Sequence, residues 1–422
     1  MSHLITLREE LGKGVILICM ISTVWFTGNM ALEYFFPIYL QSIGGSFLQI
    51  GALLSIASFS GLLIDMPIGK LSDMADKRTI MKFGLIISPL FAFVILTVSN
   101  FWILIFALFM WGVGFQTWKI ARDTFLAESA KPRHRAEAAG AGEESLALGA
   151  VLGPALAGFV LVYFGGMGIL AVYAGLCLLA AFLVHKYVRG RGMPVGKGLR
   201  TLIRDHHFFR EEIDNFRAFG FEGIVLLYLA FLLMMLQYMI FMLEPLMYTV
   251  PGVELTIRTG GILLAVFSVP AVLFSVPFGR MADKVGKRKV FVAGIVLEAF
   301  GLYFFANSLS FLMLILFAFI SSVGFALALP ALDGLIVDKT RRHSRGSQIG
   351  LWGAFMDAGY IMGPLVAGIL AQSFGIIMTF KIMAFILASS TVLVVLLEEK
   401  KIGGGKVKSL FRYRIKQYPT SL

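Results

Sequence analysis

The chain has 422 residues, 58% of them hydrophobic and only 15% charged, with a mean hydropathy of +0.84. A water-soluble globular domain does not have this composition. The formal net charge of +12 is compatible in size with nucleic-acid binding, but the basic residues sit in short connections between apolar runs, where they act as topology signals and contacts to anionic lipid.

A bilayer core about 30 Å thick needs about 20 apolar residues per helix. Runs of that length predict helices over residues 13–38, 46–70, 79–98, 101–127, 139–164, 166–188, 219–248, 257–280, 288–307, 310–337, 348–372 and 375–397, numbered here as spans 1 to 12. The expected fold is therefore an all-α polytopic membrane protein. Span 1 is too long for the apolar core of a signal peptide, and no small-residue cleavage site follows it, so it is expected to remain. Cys19 and Cys177 both fall inside spans. Neither a disulfide framework nor a metal site is expected, and no cofactor is implied.

The connections alternate in charge. "SAKPRHRAEA" after span 4, the stretch Arg189 to Arg217, "DKTRRHSRGS" after span 10, the loops "GKLSDMADKR" (Gly69–Arg78) and "GRMADKVGKR" (Gly279–Arg288), and the tail are rich in Lys and Arg. "QSIGGS", "FGG", "NSLS" and "QSFG" carry none, and "TVPGVELTIRTG" holds only Arg258. The positive-inside rule then places both termini and the linker in the cytoplasm of a multi-pass plasma-membrane protein. An even number of spans agrees.

The two polar loops are copies: Gly69 and Gly279 are 279 − 69 = 210 residues apart. The same offset relates Gly140, Gly149, Gly153, Pro154 and Gly158 to Gly350, Gly359, Gly363, Pro364 and Gly368. Six spans return the chain to its starting side, so the sequence divides into two parallel six-helix halves, 1–188 and 219–397, joined by a linker at 189–218 and followed by a basic tail at 398–422. Parallel repeats of this kind build secondary transporters.

In these features the sequence resembles the major facilitator superfamily over essentially residues 10–400. Gly69, Leu71, Asp73, Lys77 and Arg78 fit that family's loop signature between helices 2 and 3, with Asp76 in place of the second glycine. Gly279, Asp283, Gly286, Lys287 and Arg288 fit it again. The glycine–proline pattern of span 5 and "FFPIYLQSIGGS" at 35–46 resemble the drug:proton antiporter branch. Two departures stand beside this. Leu108 occupies the place of that branch's helix-4 arginine, and the glycine–proline pattern recurs on span 11. The resemblance implies twelve helices in two pseudo-symmetric bundles and transport by alternating access.

It also implies roles. Asp73 would meet the N-terminus of span 11 near Ser347, and Asp283 that of span 5, as latches that form when the cytoplasmic side shuts. A carboxylate there gains about 0.3–1 kcal/mol. Gly69 would let span 2 approach a neighbour closely, while Lys77, Arg78, Lys287 and Arg288 stay in water. Gly149 with Gly153, and Gly359 with Gly363, are four apart, a spacing that permits close helix packing. Pro154 and Pro364 bend their helices.

Charged residues inside spans are functional candidates. Asp357 is nine residues into span 11, about 13 Å deep at about 1.5 Å per residue. It stands about 200° around the helix from Gly359, so it faces a cavity if the glycines face a packed neighbour. Tyr360 shares its face. A carboxylate at that depth suits a proton site. Glu33, one turn before Pro37 with Asn29 a turn earlier, and Glu244, before Pro245, are candidate proton or cation sites at the outer mouth. Gln116, Lys119, Arg122 and Asp123 form a stripe on span 4 at the depth of Asp65, Glu143 and Glu144. They read as a salt-bridge network, or as an anion site at Lys119 or Arg122. Span 7 offers Gln237, Tyr238 and Phe241 among methionines that suit an adaptable apolar site. Glu298, midway along span 9, has no role in this scheme.

The function expected is secondary transport of a small organic solute, with proton-coupled export of apolar or cationic compounds ahead. The partners are substrate, protons and lipid, without nucleic acid, and the protein is expected to work as a monomer. The alternatives are proton-coupled import of an organic anion and a non-transporting sensor. An enzyme is not expected, and no G-x-x-x-x-G-K-[ST] loop for ATP-driven pumping is present.

Overall fold

The computed structural model describes residues 12–130, 135–190, 192–198, 220–339 and 345–394; most of the linker, His206 and His207, and the basic tail lie outside the described residues. The helices are α1 (Lys13–Ser42), α2 (Phe47–Met74), α3 (Lys77–Thr97) and α4 (Phe101–Ser129). The helical stretch Arg135–Tyr187 breaks at Gly165 (φ 65°, ψ −168°) into α5 and α6. Then follow α7 (Gly220–Leu243), extended by a 3-10 turn at Glu244–Thr249, α8 (Ile257–Val285), α9 (Lys287–Ala306), α10 (Phe311–Lys339), α11 (Arg345–Phe374) and α12 (Ile376–Val394). These are twelve membrane-spanning helices in two pseudo-symmetric six-helix bundles.

The repeat extends to local chemistry. Ser46 caps α2 in a reciprocal box with Gln49, and 210 residues on Thr256 caps α8 in the same box with Thr259. Each cap satisfies two backbone donors that a helix start leaves open. Gly165 and Gly375, also 210 apart, turn the chain between α5 and α6 and between α11 and α12 at positive φ, a region costly for side chains with a Cβ. The polar loops solve their turn differently. Gly286 uses φ 112°, whereas Asp76, at φ −65°, caps α3 by accepting from the Arg78 N–H at 3.3 Å and the Thr79 hydroxyl at 2.6 Å. That is why the first copy dispenses with the glycine.

Within each half, α3 packs on α4 and α9 on α10, α2 on α4 and α8 on α10, α1 on α5 and α7 on α11. Between halves, α2 packs on α11 and α5 on α8. Both seams are narrow at the end carrying the neutral loops. A Cβ at Gly51 would lie 2.2 Å from the Pro364 carbonyl oxygen, and one at Gly261 would lie 2.3 Å from that of Pro154. Gly368 against Phe47 and Gly158 against Arg258 repeat the pattern. The Tyr34 hydroxyl donates across the seam to the Ile257 carbonyl at 2.6 Å. The molecule is sealed at this end.

At the other end two expectations need correcting. A Cβ at Gly69 would meet nothing within 4 Å, so this glycine does not mediate a close approach, and at Gly279 the nearest atom is Pro330 Cβ at 3.7 Å. The basic residues are not simply solvated. Lys77, 6% exposed, pairs with Glu128 at 2.9 Å, and Lys287 pairs with Asp338 at 2.8 Å, again 210 apart. Each long stem reaches along its own bundle to the acidic end of the neighbouring helix. Arg288 approaches Glu222 at 3.8 Å, and Arg78 bonds the ring and the carbonyl of His185. Asp73 and Asp283 are exposed. Among the described residues Asp73 has no hydrogen-bond or ion-pair partner, and Asp283 reaches only Lys287, at 3.5 Å.

Candidate functional site

A cavity of about 390 Å³ lies between the halves. Its walls come from α1, α2, α4, α5, α7, α8, α10 and α11, and not from α3, α6, α9 or α12. One wall is aromatic. Trp25 packs on Phe115 with ring centroids 5.2 Å apart, Trp111 lies 6.0 Å from Phe115, and Phe36 meets Trp111 edge-on at 5.2 Å. The facing wall holds Met234, Met242, Phe267 and Phe325, with Tyr238 and Tyr360 4.2 Å apart.

Four charged side chains line this apolar space: Glu33, Lys119, Glu143 and Asp357. Asp357 reaches the cavity because Gly359 and Gly363 on the opposite face of α11 pack against the backbone of α7 at Phe231 and Met235. Likewise Gly149 and Gly153 press α5 onto α1 at Phe26–Thr27 and Met30. Pro364 itself lines the cavity. Lys119 and Asp357 come from opposite halves and feel each other's charge, as does Asp65 from α2. Neither Lys119 nor Asp357 makes a hydrogen bond or an ion pair within 4 Å among the described residues. Glu33 accepts a 2.6 Å bond from the Asn29 amide.

Of the residues singled out from sequence, the structure brings Glu33, Gln116, Lys119, Gln237, Tyr238, Phe241, Asp357 and Tyr360 to one cavity. Three of the expected coupling and cavity residues lie elsewhere. Asn29 is buried behind Glu33 and acts on the cavity through it. Glu244 lies in the 3-10 turn at the sealed end, outside the lining. Arg122, 1% exposed, is not in the cavity. Its guanidinium bonds the Ser22 hydroxyl at 3.2 Å, the Gly142 carbonyl, the Ser145 hydroxyl at 3.4 Å and Asp123 at 2.5 Å, tying α1, α4 and α5 together.

Arg122→Ala should therefore cost about 3–5 kcal/mol of stability, through lost charge-assisted bonds, stranded acceptors and a void. Lys119→Ala, which breaks no bond, should stay within about 1 kcal/mol. Thermal melts of the purified variants in detergent check both.

Sequence reasoning missed the aromatic wall and Phe267, Phe325 and Ser268. An apolar residue in a span reads the same whether it faces lipid, core or cavity. The offset holds a usable signal, since Phe115 with Phe325, Ser58 with Ser268, Ala147 with Asp357 and Ala150 with Tyr360 are all 210 apart and all line the cavity.

Two six-helix bundles closed together at one end around a central cavity have the architecture of a membrane transporter. The family description "Major Facilitator Superfamily" matches residues 16–257 and 226–412, and the chain belongs to that superfamily. It is 24% identical over 397 residues to an uncharacterized MFS-type transporter of Methanocaldococcus jannaschii, covering 89% of this chain and 95% of the relative. Over 112 residues it is 30% identical to the quinolone resistance protein NorA of Staphylococcus aureus, a match spanning 26% of this chain and 29% of that one. Among solved structures it is similar to a POT family transporter in complex with 5-aminolevulinic acid (TM-score 0.73, 12% identity, 92% of this chain and 96% of that one). It is also similar to a bacterial homolog of the human lysosomal transporter Spinster in an inward-facing, unoccupied conformation (TM-score 0.69, 15% identity, 90% and 94%). The protein is a membrane transporter of small molecules, not an enzyme.

Proposed function

We propose that this transporter exports lipophilic, cationic small molecules from the cytoplasm in exchange for protons, and works as a monomer. The observation that carries the reading is the placement of Asp357. Among the described residues it is a carboxylate without hydrogen-bond or ion-pair partner in an aromatic-walled cavity, with Glu33 and Glu143 as further acids and Lys119 as the base of the lining. A cation gains from carboxylates and from ring faces, the more so where water is excluded. A carboxylate that binds either a proton or a cation makes the two compete for one site, which is antiport. The partial match to a quinolone resistance protein supports this direction.

With the basic loops in the cytoplasm, the sealed end faces outward and the cavity opens inward. Asp73 and Asp283 are then latches at rest, engaging when the cytoplasmic ends come together. Uptake of an organic anion is the second reading. It has Lys119 alone in the lining, since Arg122 is held within its own half.

The test is transport in vesicles carrying the purified protein, loaded with an apolar cationic dye and given an imposed pH gradient. Gradient-driven dye movement is expected. Dye movement indifferent to the gradient, together with gradient-driven uptake of an aromatic carboxylate, would establish the second reading instead. In intact cells an impermeant thiol reagent should label a cysteine placed at Gly252 and not one at Gly196; the reverse pattern inverts the orientation.

A further inference from the structure

Among the described residues two glutamates, Glu244 and Glu298, are fully buried with both carboxylate oxygens unpaired. Their surroundings differ in kind. Glu298 lies inside one half, where α9 presses on α10 so closely that a Cβ at Gly324 would lie 2.3 Å from the Glu298 backbone nitrogen. Halves that rock as bodies leave that environment unchanged. Glu244 sits where α7 gives way to a 3-10 turn at Pro245, and that turn packs against α8 of its own half and α1 of the opposite half. Opening the sealed end parts α1 from the turn and admits water to Glu244.

We infer that Glu244 is a second proton-binding site, which holds the outer gate shut while protonated and releases its proton to the outer aqueous phase when the gate opens. The inference rests on the orientation proposed above. An unpaired carboxylate with no solvent exposure, in a turn whose Leu243, Leu246 and Met247 are also buried, is too costly to keep ionised, so the sealed state carries Glu244 neutral.

Among the described residues the facing groups supply no counter-charge. From α1 comes Tyr34, whose hydroxyl donates to the Ile257 carbonyl and fills the niche left by Gly260. The 3-10 turn adds Tyr248. From α8 the nearest charge is Arg258, exposed, with its guanidinium 5.7 Å from the Phe159 ring centroid; Glu254 in the preceding loop is also exposed.

The sign follows from linkage. The sealed state binds the proton more tightly than the open state, so acid outside favours sealing and alkali favours opening, by up to about tenfold in their ratio per pH unit for one proton. In an exporter this closes the outer gate behind a released substrate when the outside is acidic.

The experiment uses the full-length protein with Cys19→Ser and Cys177→Ala, and spin labels on cysteines at the exposed positions Ser42 and Gly252 of opposite halves. Distance distributions are recorded from pH 5 to pH 9 without substrate. The wild-type background should gain a longer distance as pH rises. Glu244→Gln should hold the short distance throughout, while Glu298→Gln should keep the full response. Tyr34→Phe, which deletes only the bond to Ile257, should raise the long-distance fraction at every pH and keep the slope. A wild-type response in Glu244→Gln, or its loss in Asp357→Asn alone, overturns the inference and leaves the cavity reading standing. Failure of dye transport with the Glu244 response intact does the opposite.

Discussion

Asp357→Asn should abolish gradient-driven transport and weaken, without abolishing, the binding of a cationic substrate to the aromatic-walled cavity. The side chain reaches the cavity from the middle of α11, without a hydrogen-bond or ion-pair partner among the described residues and within the field of Lys119. Its counterpart in the other half is Ala147, which lines the cavity but cannot ionise, so no second copy substitutes for it. Asparagine keeps the shape and mimics the protonated acid, leaving nothing for a proton to compete with a cation over. A gradient of one pH unit supplies about 1.4 kcal/mol per proton, a limit of about tenfold accumulation for one-for-one exchange. The variant should fall to no accumulation, and purified variant should release no protons on adding the dye. Unchanged proton release and accumulation would remove Asp357 from the mechanism and make Glu33 the next candidate.

Gly51→Leu combined with Gly261→Leu should hold the transporter open at its outer end. In the sealed state each new Cβ alone would stand 2.2–2.3 Å from a carbonyl oxygen of the opposite half. These are backbone atoms of α11 and α5, unable to step aside as a flexible side chain would. Overpacking costs about 1–3 kcal/mol per site, so two sites displace the equilibrium by at least about tenfold. Folding should not suffer, because leucine is the better helix former by nearly 1 kcal/mol per residue and the clash disappears once the halves part. A cysteine at Phe36, in the cavity wall and 1% exposed, should become reactive to an impermeant reagent added outside. Transport should stop, because the cycle cannot reseal. Retained transport with Phe36→Cys still protected would mean that the seam yields locally and the glycines do not set the gate.

Much of this molecule was legible in one dimension. The twelve spans were found within a few residues, and the 210-residue offset reappears as paired caps, paired turns at Gly165 and Gly375, and paired seams. Asp357 was traceable to the cavity because Gly359 and Gly363 name the face of α11 that packs. Arg122 and Lys119 show the limit. They lie on one stripe of α4, three residues apart, yet one guanidinium is enclosed by α1 and α5 while the other side chain enters the cavity. Glu33 and Glu244 read alike beside their prolines. One lines the cavity with Asn29 as partner, and the other is sealed in a 3-10 turn without one.

What the sequence by itself determined is the membrane-spanning class, the number of helices, their pairing into repeats and the asymmetry of loop charge. Each follows from transfer energetics of apolar runs and from identities at a constant offset, neither of which depends on what lies beside a helix. The tertiary structure alone decided which face of each helix meets cavity, lipid or neighbour, which end of the bundle is sealed, and that Glu244 is shut between halves while Glu298 is shut within one. Those outcomes depend on helix rotation and on contacts between residues hundreds of positions apart. In lipid, where apolar faces compete on nearly equal terms, hydropathy carries no record of them.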